Sequence, residues 1–305
     1  MVRGAMSEPA SATKDRLARR GSLVLVGSSM LFGLMALLAR RSNTYAPGAE
    51  VAFVRFVVGL AWVALFAIAR PFRPKNLGAL FSRGLFGGVA VLGFFLAIEK
   101  LSAGFATLLN YTSPVAAAFF GALFLGERLR SRSLLALALT SVGVVLVVKA
   151  NAAPGSFGFG PWVLVGLASA LASGAAITSI RWARRSDGSW EVFGAFCAMG
   201  ALVCAGPATF LGGGWVWPPL AGWLYMIAVG TVTFAAQMLF TWALGYVNVA
   251  TTGVITQLTP VSAIALGAIF SDERWTWLSV AGALVTITGV LIGARPAQEI
   301  PKMST

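Results

Sequence analysis

Residues 101–129, LSAGFATLLNYTSPVAAAFFGALFLGERL, recur as a diverged copy at 247–275, VNVATTGVITQLTPVSAIALGAIFSDERW, with each position displaced by 146 residues. Apolar letters match by chance in many hydrophobic sequences, but polar and helix-breaking letters in one fixed register do so far less often. The shared letters include a proline, a Glu-Arg pair and a later Gly-Val pair: Pro114 and Pro260, Glu127-Arg128 and Glu273-Arg274, Gly143-Val144 and Gly289-Val290. The chain therefore contains two copies of one unit.

The composition predicts that most of the chain lies in a lipid bilayer. Of its 305 residues, 58% are hydrophobic and 11% charged, and the mean hydropathy is +0.83. A soluble domain has roughly 25% charged residues, and about 20 apolar residues span a bilayer as a helix. Ten apolar runs predict an all-α integral membrane protein with ten transmembrane helices, at about 21–39, 49–69, 84–98, 103–125, 133–148, 160–180, 190–211, 219–244, 249–270 and 276–294.

The joint between the copies predicts their relative orientation. The tract 149–159 is rich in Gly, Pro and Ala and separates five runs in 21–148 from five runs in 160–294, with tails at 1–20 and 295–305. Because five is odd, the second copy starts on the opposite side of the membrane from the first. Such inverted repeats are typical of secondary transporters, in which the substrate binds near the membrane midplane between the halves.

The distribution of the 23 Lys and Arg residues predicts that both termini are cytoplasmic, in a bacterial-type inner membrane. With the N-terminus inside, 17 of these residues fall on the cytoplasmic side and 5 on the other, and cytoplasmic loops carry the excess of positive charge. That count assigns Arg83 to a cytoplasmic loop and leaves only Arg55 within the membrane. Because the cations lie in tails and short loops, the net charge of +13 does not indicate nucleic-acid binding.

Several chemistries lack the residues that they need. The chain has no histidine and few acidic residues within its apolar runs, which argues against zinc binding, Ser-His catalysis and enzyme activity. Cys197 and Cys204 lie seven residues apart in one run, too far apart on a helix to form a disulfide, so both are predicted to be small core residues. We expect no cofactor and no metal site, and the sequence favours no particular oligomeric state.

Two prolines within apolar runs mark the predicted binding region. A proline removes the hydrogen bond to the carbonyl four residues earlier, so Pro114 frees the carbonyl of Asn110 and Pro260 that of Thr256. Kinked helices near the midplane form the cavities of many transporters, although kinks also serve packing alone. Polar side chains beside the prolines complete the candidate substrate-binding group: Asn110, Tyr111, Ser113, Thr256 and Gln257.

Other polar residues within the runs are further candidates, because a polar side chain in hydrocarbon usually faces the bundle interior. Arg55 attracts a substrate carboxylate or pairs with Glu50 or a helix-end carbonyl, and its position near the start of its run slightly favours the structural alternative. Gln237 brings an amide whose donors and acceptors need partners. Ser29 and Trp242 suit binding, but a small hydroxyl also suits helix packing and a Trp near a helix end also suits an interface anchor.

Glu127 and Glu273 open the fifth and tenth runs. An acid there suits the positive end of a helix dipole and orients Arg128 or Arg274 beside it. We favour this structural role over proton coupling.

The chain resembles the EamA family of the drug/metabolite transporter superfamily over nearly its whole length. Besides the ten runs and the inverted repeat, the resemblance rests on Arg55, Ala97-x-x-x-Leu101-Ser102-Ala103, Pro114, Gly126-Glu127-Arg128-Leu129 and Gly143-Val144-Val145-Leu146. It departs from the family pattern at Phe32-Gly33, where Trp-Gly is more usual, and at Ser271-Asp272-Glu273, which lacks the Gly. Asn110-Tyr111-x-x-Pro114 is also similar to the fourth span of YddG-type exporters of aromatic amino acids.

The resemblance implies transport of small metabolites through a pore lined mainly by spans other than the fifth and tenth. We therefore expect a carrier that exports an amino acid (an aromatic one included) or a similar small metabolite by alternating access, with the substrate and the lipid bilayer as its partners. One rival is a broad-specificity drug and metabolite exporter. Another is a nucleotide- or sugar-phosphate carrier, which needs several cavity cations where the sequence offers only Arg55. A non-transporting receptor or scaffold is a third, but it needs a soluble output domain.

Overall fold

The computed structural model describes residues 10–68, 71–100, 109–150, 160–210, 214–270 and 276–294. Within these ranges the chain is helical and contains no strand. The described helices are α1 (Ala10–Ser42), α2 (Gly48–Ala67), α3 (Leu77–Lys100), α4 (Ser113–Leu125), α5 (Ser131–Ala150), α6 (Pro161–Ala183), α7 (Ser189–Phe210), α8 (Leu220–Ala243), α9 (Val249–Thr256), α10 (Leu258–Phe270) and α11 (Trp277–Ala294).

The surface of the bundle is that of a membrane protein. In the described ranges, six helices are long and apolar enough to span a bilayer, namely α1, α2, α3, α6, α7 and α8, and shorter apolar helices lie at Ser113–Leu125, Ser131–Leu146 and Val280–Gly293. Large apolar side chains point outward, among them Ile68 and Phe210 with 87% and 86% of their surface exposed. The all-helical, membrane-embedded prediction is confirmed.

The third helix begins earlier than the sequence predicted. The apolar run was expected at 84–98, but α3 starts at Leu77 and therefore includes Arg83, which is buried. Two side chains hold the first turn: Asn76 Oδ1 accepts from the Ala79 amide at 3.0 Å, and the Asp187 carboxylate accepts from the Lys75 amide at 2.6 Å. Such caps satisfy amides at a helix N-terminus that have no partner within the helix.

Two membrane helices are interrupted at corresponding positions of the two copies. Residues 109–110 are helical, a turn follows at Tyr111–Thr112, and α4 then starts with Pro114 in its first turn. In the second copy, Gln257 separates α9 from α10, three residues before Pro260. Leu101 and Ser102 of the predicted hairpin Glu99–Ser102 lie outside the described residues. The other predicted hairpin, Gly245–Asn248, is a tight turn in which the Tyr246 amide donates to the Ala243 carbonyl at 2.9 Å.

The helices pack in pairs that recur between the two halves of the chain. Helix α3 packs along α6 and α7, as α8 packs along α1 and α2. Helix α4 contacts α6, as α1 contacts α9 and α10, while α2 packs against α7 and α5 against α11. The glycines at Gly84 and Gly88 lie against Met199 and Gly200 of α7, so their small surface serves contacts within this chain.

Individual contacts recur as well. The Ser28 hydroxyl of α1 donates to the Ala236 carbonyl of α8 at 2.9 Å, and the Ser169 hydroxyl of α6 donates to the Ala90 carbonyl of α3 at 2.7 Å. Between α5 and α11, Gly143 lies against Thr286 and Gly289 lies against Thr140.

Candidate functional site

Two buried arginines lie close together among α2, α3, α7 and α8. We call Arg55 and Arg83 the arginine pair; 7% and 4% of their surfaces are exposed. The Arg83 guanidinium lies 3.7 Å from the centroid of the Phe196 ring and donates through Nη2 to Gln237 Oε1 at 3.4 Å. The Arg55 guanidinium lies 5.0 Å from the centroid of the Phe56 ring, which meets Phe196 edge to face at 4.9 Å.

The positive charge of the arginine pair is not offset by an acid in the described part of the chain. The Nε atoms of both side chains have no hydrogen-bond partner, and neither guanidinium forms a salt bridge there. A cation on an aromatic face gains about 0.5–2 kcal/mol, whereas an arginine at the centre of a membrane helix costs about 2.5–3.5 kcal/mol on insertion scales. The ring contacts therefore offset only part of the cost of burying these arginines, and a bound anion would stabilise the site further.

The structure corrects two predictions about these cations. Arg83 lies within the membrane-spanning bundle and not in a loop, so Arg55 is not the sole buried cation. The argument against a phosphate carrier, that the sequence offers only one buried cation, therefore no longer holds. The predicted partner of Arg55 forms no salt bridge with it in the described part of the chain, since Glu50 Oε2 accepts from the Val216 amide at 3.0 Å and Oε1 has no partner. Arg83 was missed because the apolar run was taken to begin after the charge; Asn76, a helix-capping residue type before an apolar stretch, was the available signal.

Aromatic side chains from α2, α7 and α8 pack together beside Phe196, the ring that contacts Arg83. Trp62 stacks on Phe234 at 5.5 Å between ring centroids, and Phe193 meets Phe234 at 5.4 Å. Phe193 also contacts Phe196 at 6.4 Å and so joins these rings to Arg83. We call Trp62, Phe66, Trp190, Phe193 and Phe234 the aromatic cluster.

A cavity of about 600 Å³ opens beside the aromatic cluster at one end of the bundle. Trp242 lines it, as does Met238, which follows Gln237 on α8. Burial lowers the pKa of Arg184, whose Nε donates to the Thr241 carbonyl at 3.2 Å. The complete lining consists of loop and helix-end residues: Pro71, Arg73, Arg184, Gly188, Ser189, Trp190, Glu191, Met238 and Trp242.

The two helix interruptions meet each other in a second region, the helix-break site, formed by Tyr111, Gln257 and Ser29. Gln257 is fully buried, and its Nε2 donates to the Tyr111 carbonyl over a long 3.5 Å, while its Oε1 has no partner. The Ser29 hydroxyl donates to the Leu25 carbonyl at 2.9 Å and, more weakly, to the Ile255 carbonyl at 3.4 Å. The two breaks thus bring polar backbone and side-chain groups together inside an apolar bundle.

The remaining predicted residues fall around these regions. Ser113 is buried beside the first break and Asn110 is half-buried next to Tyr111. The Thr256 hydroxyl donates to the Thr252 and Gly253 carbonyls of its own helix, each at 3.0 Å. The side chain of Pro260 lies outside the described residues. The predicted set therefore divides into Arg55 and Gln237 at the arginine pair, Trp242 at the cavity, and the other residues near the helix breaks.

Glu127 lies in the segment between α4 and α5 and contacts parts of the chain that are distant in sequence. Its Oε1 accepts from Arg181 Nε at 3.2 Å, and its Oε2 accepts from the Val249 amide at the start of α9 at 2.8 Å. Arg181 Nη1 also donates to the Leu244 carbonyl at 2.7 Å. The expected partner, Arg128, is exposed instead. Glu273 lies outside the described residues.

Comparison with known proteins agrees with a membrane carrier. The chain is 28% identical over 287 residues to the pseudopaline exporter CntI of Pseudomonas aeruginosa, covering 90% of this chain and 94% of that protein. Over 76 residues it is 36% identical to a probable terminal-alkyne amino-acid exporter of Streptantibioticus cattleyicolor, covering 24% of this chain and 26% of that protein. A solved crystal structure shares the fold, with a TM-score of 0.73, 24% identity and coverage of 90% of this chain and 98% of that one.

The family match covers both copies of the repeated unit. The EamA-like transporter family matches residues 19–149 and again residues 160–294. Together these matches include most of the chain, so the protein belongs to the EamA-like transporter family.

Proposed function

We propose that this protein is a secondary carrier of the bacterial inner membrane that exports an amino acid or a similar small metabolite by alternating access. In this proposal ten helices span the membrane as two inverted repeats, 21–148 and 160–294, joined by 149–159, and both terminal tails are cytoplasmic. It is a carrier and not an enzyme, and the arginine pair and the helix-break site bind its cargo.

The proposal rests on one observation: contacts between the two halves of the chain are reciprocal. Ser28 precedes Ser169 by 141 residues, and Ala90 precedes Ala236 by 146 residues, so each hydrogen bond from one half to the other has a counterpart in the reverse direction. The contacts of Gly143 and Gly289 are reciprocal in the same way. A pseudo-two-fold relation between the halves produces this pattern, and halves of five spans each make it an inverted repeat, the architecture of alternating-access carriers.

The cargo and its direction are supported by chemistry and by the relatives. Two relatives are exporters by name, one of them of an amino acid. Buried guanidinium groups without a described counter-charge attract a carboxylate, and every amino acid carries one. The aromatic cluster beside them favours cargo with an apolar or aromatic body.

A second candidate is a carrier of broad specificity for drugs and metabolites. The aromatic cluster favours it, since stacking surfaces accept many ring systems with little discrimination. The two candidates differ in which compounds inhibit the flux of a labelled amino acid. Only amino acids inhibit a selective amino-acid exporter, whereas uncharged aromatic compounds inhibit a broad carrier as well.

Flux measured in proteoliposomes tests the proposal. Purified protein is reconstituted, and the movement of labelled amino acids is followed across a panel that includes phenylalanine, tryptophan and leucine. We expect carrier-dependent flux of at least one of them, reduced by the combined change Arg55→Ala, Tyr111→Ala and Gln237→Ala. Flux that equals that of protein-free vesicles for every compound would refute the carrier. Flux that is unchanged in the triple variant would refute the site.

A further inference from the structure

We infer that Arg83 and Gln237, with Arg55 beside them, form an anion subsite, and that the cargo is therefore a carboxylate-bearing compound and not a lipophilic cation. This inference rests on the proposed carrier function and deepens it, because it assigns binding of the cargo's carboxylate to Arg83 and Gln237 in particular and excludes cationic cargo. The site lies where α2, α3, α7 and α8 meet.

The first support is a charge without a counter-charge. More than nine-tenths of each guanidinium-bearing side chain is buried, and both Nε atoms lack a partner within the described ranges. Native proteins pair their buried charges or hydrogen-bond them fully. Glu50, the acid on the same helix as Arg55, accepts from the Val216 amide through Oε2, and its Oε1 contacts no donor in the described ranges, the Arg55 guanidinium included. A carboxylate entering between α2 and α3 supplies the missing acceptor for both arginines.

The second support is the way in which Arg83 is held. Its guanidinium carbon lies over the Phe196 ring at 3.7 Å from the ring centroid, and its Nη2 donates to Gln237 Oε1 at 3.4 Å. A planar guanidinium fixed in this way presents its remaining N–H groups in the fork that matches a carboxylate. Gln237 then has its own amide N–H groups available as further donors to the same anion.

The third support is that the helices α7 and α8, which hold Phe196 and Gln237 at the site, also line the cavity. Trp190 and Met238 line the cavity, and Gln237 is the neighbour of Met238 on α8. On α7, Phe193 and Phe196 follow Trp190 at intervals of three residues, about one helical turn each. The cavity lining contains two cations, Arg73 and Arg184, and one acid, Glu191, so its balance is one positive charge, which favours anions over cations. The aromatic residues and the positive balance of the lining therefore suit a compound with an apolar body and an anionic head.

Binding of a matched pair of small probes tests the subsite separately from transport. Purified full-length protein in detergent is titrated with benzoate, with its uncharged isostere benzamide and with benzylamine, and tryptophan fluorescence and thermal stability are recorded. We expect benzoate to bind, and benzamide and benzylamine to bind about tenfold more weakly or not at all. Arg83→Gln is expected to weaken benzoate binding about tenfold, and Arg83→Lys to weaken it less, because Lys keeps the charge but loses the fork.

Controls separate the possible failures. Arg130→Gln removes an exposed arginine and is expected to leave benzoate binding unchanged. If Arg83→Gln does not fold, Arg83→Lys and Gln237→Ala carry the test. Equal binding of benzoate and benzamide, no binding of benzoate, or wild-type binding by the Arg83 variants would overturn the subsite. Selective benzoate binding without flux of any amino acid in proteoliposomes would leave the subsite intact and refute the proposed carrier.

Discussion

At the scale of single residues, the Glu127 carboxylate contacts two elements that are distant from it in sequence, and each of its oxygens has its own partner. Arg181 at the end of α6 and the Val249 amide at the start of α9 both donate to it. The side chains of Glu127 and Arg181 are 17% and 25% exposed, so solvent screens the pair less than it screens a fully exposed one. The carboxylate therefore stabilises the corner at which α4, α6 and α9 meet.

Replacing this carboxylate should destabilise the protein in graded steps. Glu127→Gln keeps an acceptor for the Val249 amide but loses the charge, and Glu127→Ala loses both, so we expect losses in the free energy of unfolding of about 1 and about 2–3 kcal/mol. Arg181→Gln combined with Glu127→Gln should cost less than the sum of the two single changes, because the residues share one interaction. Denaturant unfolding in detergent measures the free energy of unfolding of the wild type, the three single variants and the double variant. Arg128→Gln is the control. If it lowers the free energy of unfolding as much as Glu127→Gln does, then Arg128 is the partner of Glu127, as the sequence suggested.

At the scale of helices, α5 and α11 form an interface of reciprocal glycine contacts. A methyl group at Gly143 would lie 2.6 Å from the Thr286 amide nitrogen, and one at Gly289 would lie 2.7 Å from Thr140 Cγ2. Both distances are shorter than carbon contacts allow, so either substitution forces the helices apart. At Gly27, in contrast, an added methyl group meets nothing within 4 Å.

Gly143→Ala and Gly289→Ala should therefore each lower the free energy of unfolding by about 1–3 kcal/mol. Gly27→Ala should be neutral or slightly stabilising, since alanine is the better helix former. Thermal unfolding of the three variants in one detergent gives the comparison. A stable Gly143→Ala protein together with a destabilised Gly289→Ala protein would contradict the reciprocity of this interface.

The interrupted helices allow a test that separates stability from transport. Gln257 is fully buried with an unsatisfied Oε1 and one long hydrogen bond, so an apolar side chain of similar size removes a desolvation cost. We expect Gln257→Leu to unfold at the wild-type temperature or above it, while flux in proteoliposomes falls about tenfold because cargo loses a polar partner. A variant with lower stability and wild-type flux would instead assign Gln257 to packing alone.

At the scale of the whole molecule, the sequence predicted an all-helical membrane carrier of this family, because length, apolarity and an internal repeat are properties of the chain alone. It predicted Arg55 and Gln237 as polar residues within helices for the same reason. It did not predict that Arg83 joins them, since the third apolar run, 84–98, begins directly after this charge and so leaves Arg83 in a loop. The contact of Arg83 with Phe196 and Gln237 depends on how three separate helices pack, which one sequence does not specify.

The proposed inversion of the two halves makes opposite predictions for two corresponding loops. Ser131 is exposed at the start of α5, directly after the loop that follows α4, and Asp272 lies in the corresponding connection of the second copy, between α10 and α11. If the copies are inverted and the N-terminus is cytoplasmic, Asp272→Cys should react with a membrane-impermeant maleimide in intact cells, and Ser131→Cys only after permeabilisation. The native cysteines Cys197 and Cys204 are buried and free, so the unmodified protein provides the unlabelled control. Labelling of both variants from one side would place the two copies in the same orientation, and the reciprocal contacts would then need an explanation other than an inverted carrier.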